Sequence, residues 1–288
     1  MFKEWPLVAF TVLGQTAVGA FLVFHLPFLV RGRTPYAGWR ATWLVLLALA
    51  LFLSAVAALV SFFHLRHPWR ARFVLSNWRA SWLSREILFE LAFMGLVAAS
   101  GWLAWAGAPS RTVQLAALAA AGLAGVLFLV SMIKLYTLPT LPAWRGGRAS
   151  VSFTLTALVL GALVAEAVIR AVAGPGAFSV DLAAVAAVLI AAGIVWAVIE
   201  GRRWAPGGRR PRPSLRPDAG PSRSLRAVHR AGLVSGLAFV VADLARGGDR
   251  LMDDPGAGPL LLLALGSVVA GEIAGRFAFY GLVRRPGD

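Results

Sequence analysis

Long apolar runs, interrupted by short polar or Pro/Gly-rich segments, follow one another along the whole chain. Reading between the interruptions gives eight spans: Pro6 to Val30, Trp43 to His64, Ser84 to Gly107, Thr112 to Tyr136, Val151 to Ala173, Leu182 to Glu200, Ala227 to Leu244 and Gly258 to Val283. At about 1.5 Å of rise per residue, runs of roughly 20 residues cross a hydrocarbon layer about 30 Å thick as helices. No ten-residue segments alternate apolar and polar as barrel strands do, and unpaired backbone groups are prohibitive in lipid. The expected fold is therefore an all-α integral membrane protein, with eight transmembrane helices in one bundle spanning residues 1–288. An even number of spans places both termini on the same side. Met1 to Pro6 is short, carries Lys3 and Glu4 and leads directly into the first span, so no cleavable signal peptide is expected there.

Composition excludes a soluble globular protein. Of 288 residues, 59% are hydrophobic and 14% charged, against about 45 to 50% and about 25% in ordinary soluble domains. The chain has no cysteine, so it cannot supply a disulfide, a thiolate-held iron-sulfur cluster, a Cys-ligated zinc or a covalent c-type haem; a partner would have to bring any of these. The net charge of +15 would suggest nucleic acid in a soluble protein, whereas in a membrane protein basic loops report orientation. The face holding the termini and the second, fourth and sixth connections carries 20 of the 28 Lys and Arg; the opposite face carries 7, and Arg276 lies within a span. The positive-inside rule makes the basic face cytoplasmic. The Arg/Pro/Gly-rich sixth connection, 201–224, is read first as a topology determinant and secondarily as a segment spread on headgroups or a partner.

Ionisable groups within spans are costly and usually face a bundle interior, a water cavity or a site. Most of them fall in one leaflet. His64 closes the second span at the cytoplasmic end, Glu86 and Glu90 lie in the first turns of the third, and Lys134 and Tyr136 close the fourth. Glu272, Arg276 and Tyr280 are four residues apart and form one stripe down the last span. Gln15 sits near mid-depth of the first span, while His25 and Glu166 lie towards the other face. A carboxylate, a histidine, basic side chains and a tyrosine near one interface suit a quinone, which needs hydrogen-bond donors at its carbonyls and a proton route. Interhelical packing contacts, such as Glu272 paired with Arg276, explain the same residues without a ligand. From the pattern alone both readings stand.

Two other classes are disfavoured. A pair of transmembrane b-haems needs four axial ligands, and the chain has four histidines, but His64 and His67 lie at or beyond a helix end, His25 near the far end of the first span, and His229 at the start of the seventh. A transporter would be expected to show Gly/Pro-interrupted helices in matching halves; no internal repeat is evident, although Gly161, Gly193, Gly232 and Gly236 are candidate helix breaks.

Particular words in the chain carry a resemblance. Glu4 to Gln15 (EWPLVAFTVLGQ), His64 to Ile87 (HLRHPWRARFVLSNWRASWLSREI), Lys134 to Tyr136 (KLY) followed by Pro139 to Trp144 (PTLPAW), and Gly271 to Leu282 (GEIAGRFAFYGL) resemble the DmsC family, the membrane anchor subunits of dimethyl sulfoxide reductase and its relatives. The order, the spacing and the eight-span layout correspond, with the 201–224 connection outside the resemblance.

The resemblance implies a three-part complex in the bacterial inner (cytoplasmic) membrane. A catalytic subunit would hold molybdenum on bis-molybdopterin guanine dinucleotide, a second subunit would hold four iron-sulfur clusters, and this chain would be a haem-free, metal-free anchor exchanging electrons with ubiquinone or menaquinone. Carried over by motif, His64 and Glu86 match family positions associated with quinol binding and oxidation. By inference Arg70, Gln15 and Tyr280 join them as quinone-binding candidates, Glu86, Glu90, Glu272 and Arg276 form a candidate proton relay, and Arg66, Arg72, Arg79, Lys134 and Arg145 are candidates for partner docking. Cytoplasm-facing sulfite dehydrogenases (Soe type) have an anchor of this same family, so with the basic face read as cytoplasmic the resemblance implies a quinone-reducing anchor of a sulfite-oxidising molybdoenzyme. A quinol-oxidising anchor of a dimethyl sulfoxide or related S/N-oxide reductase is the alternative, and a transporter the distant one.

Overall fold

A computed structural model of the chain describes residues 4–30, 40–63, 75–107, 110–137, 147–174, 181–203, 221–246 and 257–281. Among these the fold is helical, in eight elements: α1 (Trp5–Val30), α2 (Arg40–Phe62), α3 (Trp82–Ala106), α4 (Arg111–Tyr136), α5 (Arg148–Ala173), α6 (Leu182–Arg203), α7 (Pro221–Ala245) and α8 (Ala257–Tyr280). Each is long and apolar enough to cross a membrane. Short polar residues set several of the starts. The side chains of Ser81 and Ser110 accept hydrogen bonds from the backbone N–H groups of Ser84 and Val113, and Asp181 accepts one from Ala184, the N-cap geometry that satisfies otherwise unpaired donors.

Helix α1 is the most enclosed of the eight. It packs on α2, α4, α5 and α8, while α3 pairs with α4, α7 pairs with α8, and α6 bridges α5 and α7. Two apolar clusters result. One joins α1 to α4 with the ends of α5 and α8, around Phe21, Phe24, Trp43, Phe93 and Phe128; the other joins α5 to α8 around Leu160, Leu163, Ile190, Leu233 and Val268.

The glycines read as candidate breaks are contact points instead. Helices α5, α6 and α7 run unbroken through Gly161, Gly193, Gly232 and Gly236. A Cβ on Gly19 would sit 1.8 Å from the Ala157 carbonyl oxygen, and one on Gly161 would sit 2.3 Å from the Gly19 carbonyl carbon. Helices α1 and α5 thus cross backbone to backbone. Gly232 on α7 and Gly271 on α8 meet in the same way, and with Gly236 and Gly275 each helix carries a small residue four positions on, the spacing that lets membrane helices approach closely.

Both edges of the 201–224 connection are helical: α6 extends through Arg203 and α7 begins at Pro221, leaving 204–220 outside the described residues. Proline suits that first helical position, where its missing N–H has no partner to lose. The earlier start places His229 two turns inside α7 rather than at its beginning.

At the bundle end where α1, α5 and α7 finish, Arg170 donates from Nε to Glu166 at 2.7 Å and from Nη1 to Asp243 at 2.8 Å, joining α5 to α7. Asp243 is wholly enclosed, and a lone buried carboxylate there would cost several kcal/mol, on the order of 3. His25 lies at the same end. Its Nδ1 donates to the Phe21 carbonyl at 2.8 Å, and its ring stacks on Phe21 and meets Phe24 and Trp43 edge-on. It is a packed core residue of α1.

Candidate functional site

Antiparallel threading puts the starts of α1, α3, α5 and α7 and the ends of α2, α4, α6 and α8 at one end of the bundle. Within roughly ten residues of those ends, about 15 Å at helical rise, most of the buried polar side chains gather. Gln15, Thr11, Glu86, Glu90, Tyr136, Thr156, Glu272, Arg276 and Tyr280 are all enclosed.

Arg276 is the centre. It is 1% exposed, and its Nη2 donates to Gln15 Oε1 at 2.6 Å and to Thr156 Oγ1 at 2.9 Å. Its guanidinium carbon lies 3.8 Å from the centre of the Phe153 ring, a cation-π contact that partly offsets its desolvation. Thr156 in turn donates to Glu272 Oε2 at 2.6 Å. Arginine and carboxylate are therefore joined through a threonine, not paired directly as an ion pair expected from sequence would be. Gln15 is held by donating Nε2 to Met132 Sδ at 3.1 Å. Arg276 Nε and Nη1 have no hydrogen-bond partner among the described residues. Unpaired buried donors on a charged group are rare in folded proteins and call for an explanation.

On the other side of α8 from the α7 contact, Tyr280 donates to Thr11 Oγ1 at 3.4 Å and lies against Tyr136, ring centroids 5.4 Å apart, with a hydrogen bond between the two side chains. Glu86 on α3 is within electrostatic reach of both tyrosines, and Glu90, one turn deeper on the same face, is within reach of Glu86. Each glutamate buries one oxygen, Oε1, without a hydrogen-bond partner among the described residues. From Glu90 through Glu86, the tyrosine pair, Arg276 and Thr156 to Glu272, titratable or hydroxylic groups form a band across α3, α4, α8 and α5. Such a band can hold protons and donate hydrogen bonds where water is excluded.

Of the residues singled out from sequence, the fold brings Gln15, Glu86, Glu90, Glu272, Arg276 and Tyr280 into this band. Arg79 and Lys134 are exposed at the same end, Arg79 against Trp78 in the turn before α3 and Lys134 in the last turn of α4. His64, Arg66, Arg70, Arg72 and Arg145 lie outside the described residues. Arg85 folds back on its own turn, donating Nε to the Trp78 carbonyl at 2.9 Å and stacking on Trp82.

Three contributors were not legible in the sequence. Thr156 reads as an ordinary helix residue, because its partners come from elements more than 100 positions away. His229 sits on α7 with Nδ1 donating to the Gly271 carbonyl at 3.0 Å and 4.0 Å from Glu272 Oε1. Arg148 ion-pairs with Glu200, tying the start of α5 to the end of α6.

Towards the far end the polar band stops. Beyond Gln15 and Thr156, α1 and α5 bury Ala17, Val18, Ala20, Phe21, Leu160, Ala162 and Leu163, and Thr16 returns its hydroxyl to the Val12 carbonyl at 2.8 Å. Among the described residues no three His, Cys, Asp or Glu side chains gather as a metal-binding set.

The family model described as DMSO reductase anchor subunit (DmsC) matches residues 1–206, which hold α1 to α6; the closing Gly271 to Leu282 word falls beyond it. No curated protein and no solved structure matches the chain.

Proposed function

The chain belongs to the DMSO reductase anchor subunit (DmsC) family, and from that premise we propose that this multi-pass membrane anchor exchanges electrons between membrane quinone and an iron-sulfur partner subunit. The observation that carries the proposal is the buried band at one end of the bundle, with Arg276 Nε and Nη1 unpaired among the described residues beside Gln15 and Thr156 and two enclosed glutamates nearby. Reducing a quinone takes two electrons and two protons, and its carbonyl oxygens need donors as charge builds on them. Arg276 and Tyr280 supply donors, and preoriented donors in a dry site are worth far more than in water. Glu86 and Glu90 carry protons between the band and the basic face. In the opposite direction they accept the protons that quinol releases. His64 and Arg70, from the segment that precedes α3, complete the quinone-binding set in this proposal.

Electrons come from, or go to, partner subunits, since a chain without cysteine holds no thiolate cluster. The partners are a four-cluster iron-sulfur subunit and a catalytic subunit with molybdenum on bis-molybdopterin guanine dinucleotide, docked where Arg79 and Lys134 are exposed and where Arg66, Arg72 and Arg145 belong by sequence. Because residues 17–24 of α1 and 157–165 of α5 are apolar and separate the band from His25 and the Glu166–Arg170–Asp243 cluster at the far end, proton uptake and release use one face and the exchange moves no net charge across the membrane.

The basic residues of that end favour cytoplasmic partners by the positive-inside rule, and with them oxidation of sulfite and reduction of quinone. The family description favours the second reading, oxidation of quinol for reduction of dimethyl sulfoxide or a related S/N-oxide. Affinity purification of the full-length chain from its native membrane tests both. A molybdopterin subunit and a multi-cluster iron-sulfur subunit are expected to accompany it, with quinone reduction driven by sulfite under the first reading and quinol oxidation driven by the S/N-oxide under the second. Recovery of the chain without either subunit would contradict the proposal.

A further inference from the structure

A cavity of about 500 Å³ opens between α5, α6, α7 and α8 at the basic end of the bundle. Six arginines line it, Arg148, Arg202, Arg223, Arg226, Arg230 and Arg276, against two glutamates, Glu200 and Glu272. Both glutamates are already engaged: Glu200 pairs with Arg148, and Glu272 accepts from Thr156. The excess charge is concentrated. Arg223, Arg226 and Arg230 share one face of α7 at helical spacing, and Arg226 is within electrostatic reach of both neighbours. The Arg230 guanidinium reaches across to Gly201 of α6, where an added Cβ would lie 3.9 Å from its Nη1. Like charges one turn apart on a helix repel, so a fold that crowds them around a cavity is stabilised by an anion between them.

The inner wall carries a second, independent sign. Arg276 lines this cavity while 1% exposed, with Nε and Nη1 unpaired among the described residues. Donors from α6, α7 and α8 converging on one space suit a tetrahedral oxyanion, and arginine forks match phosphate oxygens in charge and geometry.

We propose that this cavity binds a phosphate group, that of an anionic phospholipid. The source follows from position. The helix ends that frame the cavity are those at the membrane boundary, where lipid phosphates lie, and basic pockets between transmembrane helices there are suited to acidic headgroups. Val195, Val198 and Ile199 of α6 are exposed beside it, and Ala197, Val198, Ala278 and Phe279 line it, an apolar track on which an acyl chain can run towards the membrane interior. The phosphate bridges α6 to α7 and so braces the α7–α8 pair that carries Arg276. The site adjoins the proposed quinone site and shares Arg276 and Glu272 with it, whereas its rim arginines Arg223, Arg226 and Arg230, which the test changes, are not part of the buried band.

The test compares the wild-type full-length chain, with the subunits that accompany it, with the Arg226→Gln/Arg230→Gln and Arg226→Lys/Arg230→Lys variants. All are purified in mild detergent and their bound lipid is quantified by mass spectrometry. Phosphatidylglycerol retention is expected to fall at least tenfold in the glutamine variant and to be substantially restored in the lysine variant, with phosphatidylethanolamine unchanged throughout. In a parallel arm, delipidated protein is titrated with inorganic phosphate and with phosphatidylglycerol nanodiscs, following thermal unfolding. Stabilisation by the nanodiscs that requires the arginines is the expected result. Stabilisation by inorganic phosphate with no lipid retention would overturn the lipid assignment, and equal phosphatidylglycerol retention in all three proteins would overturn the site.

Discussion

Replacing Arg276 by methionine is expected to lower quinone-linked turnover by at least about 100-fold, or about 2.7 kcal/mol of lost transition-state stabilisation, while dye-linked turnover of the attached catalytic subunits stays near the wild-type value. The separation follows from what the side chain does. Its Nη2 is committed to Gln15 and Thr156, but Nε and Nη1 have no partner among the described residues, so much of its desolvation is uncompensated in the resting fold. Methionine fills similar space beside Phe153 and removes a poorly compensated buried charge, while Gln15 Oε1 and Thr156 Oγ1 lose a donor at a cost of about 1 to 3 kcal/mol. Folding should therefore survive the change, whereas donation to a quinone oxygen would not. Arg276→Lys keeps the charge but loses the planar fork, and is expected to fall between the two, about tenfold down. Parallel loss of quinone-linked and dye-linked activity in Arg276→Met would assign the arginine to packing alone.

Gly19→Leu is expected to remove the chain from the membrane almost completely, measured as the monodisperse peak of a fluorescent fusion in detergent. A Cβ at this position falls 1.8 Å from the Ala157 carbonyl oxygen, well inside van der Waals contact, and the obstacle is backbone of a neighbouring helix that has no rotamer to change. Helices α1 and α5 would have to separate along their crossing. That would open the contacts of Phe21 and Leu160 and pull Gln15 away from Arg276 and Thr156, at a cost of more than about 4 kcal/mol, the range of exceptional single substitutions. Gly95→Ala and Gly266→Ala provide the contrast. Nothing lies within 4 Å of a Cβ at either position, and alanine is the better helix former by about 1 kcal/mol in soluble helices, so both should accumulate at or above the wild-type level.

Much of this arrangement is present in the linear pattern, and what is missing has identifiable causes. The eight spans are plain because a lipid-crossing helix must be apolar on nearly every face. Only their edges move, and they move most at α7, where Arg223 and Arg226 make the first two turns look like loop although Pro221 already starts the helix. The four-residue spacing of Glu272, Arg276 and Tyr280 is visible for the same reason: a polar stripe stands out in an apolar helix. Thr156 and Thr11 do not stand out, because a hydroxyl commonly returns to its own helix, as that of Thr16 does to Val12, and only the packed structure shows which hydroxyls reach another helix. Nor can an unbroken apolar sequence tell a glycine that breaks a helix from one that lets a neighbour approach. Gly161 and Gly232 are of the second kind, and their role depends on Gly19 and Gly271 in distant parts of the chain.

The placement of polar groups at one end also explains why sequence depth alone was informative. Antiparallel threading converts a position near a span's end into membership of a common layer, so Glu86 from α3, Tyr136 from α4 and Tyr280 from α8 meet without any local sequence signal linking them. The basic rim over α5 to α8 lies at the same end but is chemically distinct, since its arginines are crowded by one another, while Arg276 and Glu272 belong to both the rim cavity and the band.

The ratio of quinone-linked to dye-linked turnover in the intact complex tests quinone exchange in this chain most directly, measured for Glu86→Gln and for His64→Arg beside wild type. With Glu86 unable to carry a proton, or a bulky cation in place of His64, the ratio is expected to drop by about 100-fold while partner subunits and dye-linked activity are retained. A ratio unchanged from wild type in both variants would contradict quinone exchange at this end of the bundle.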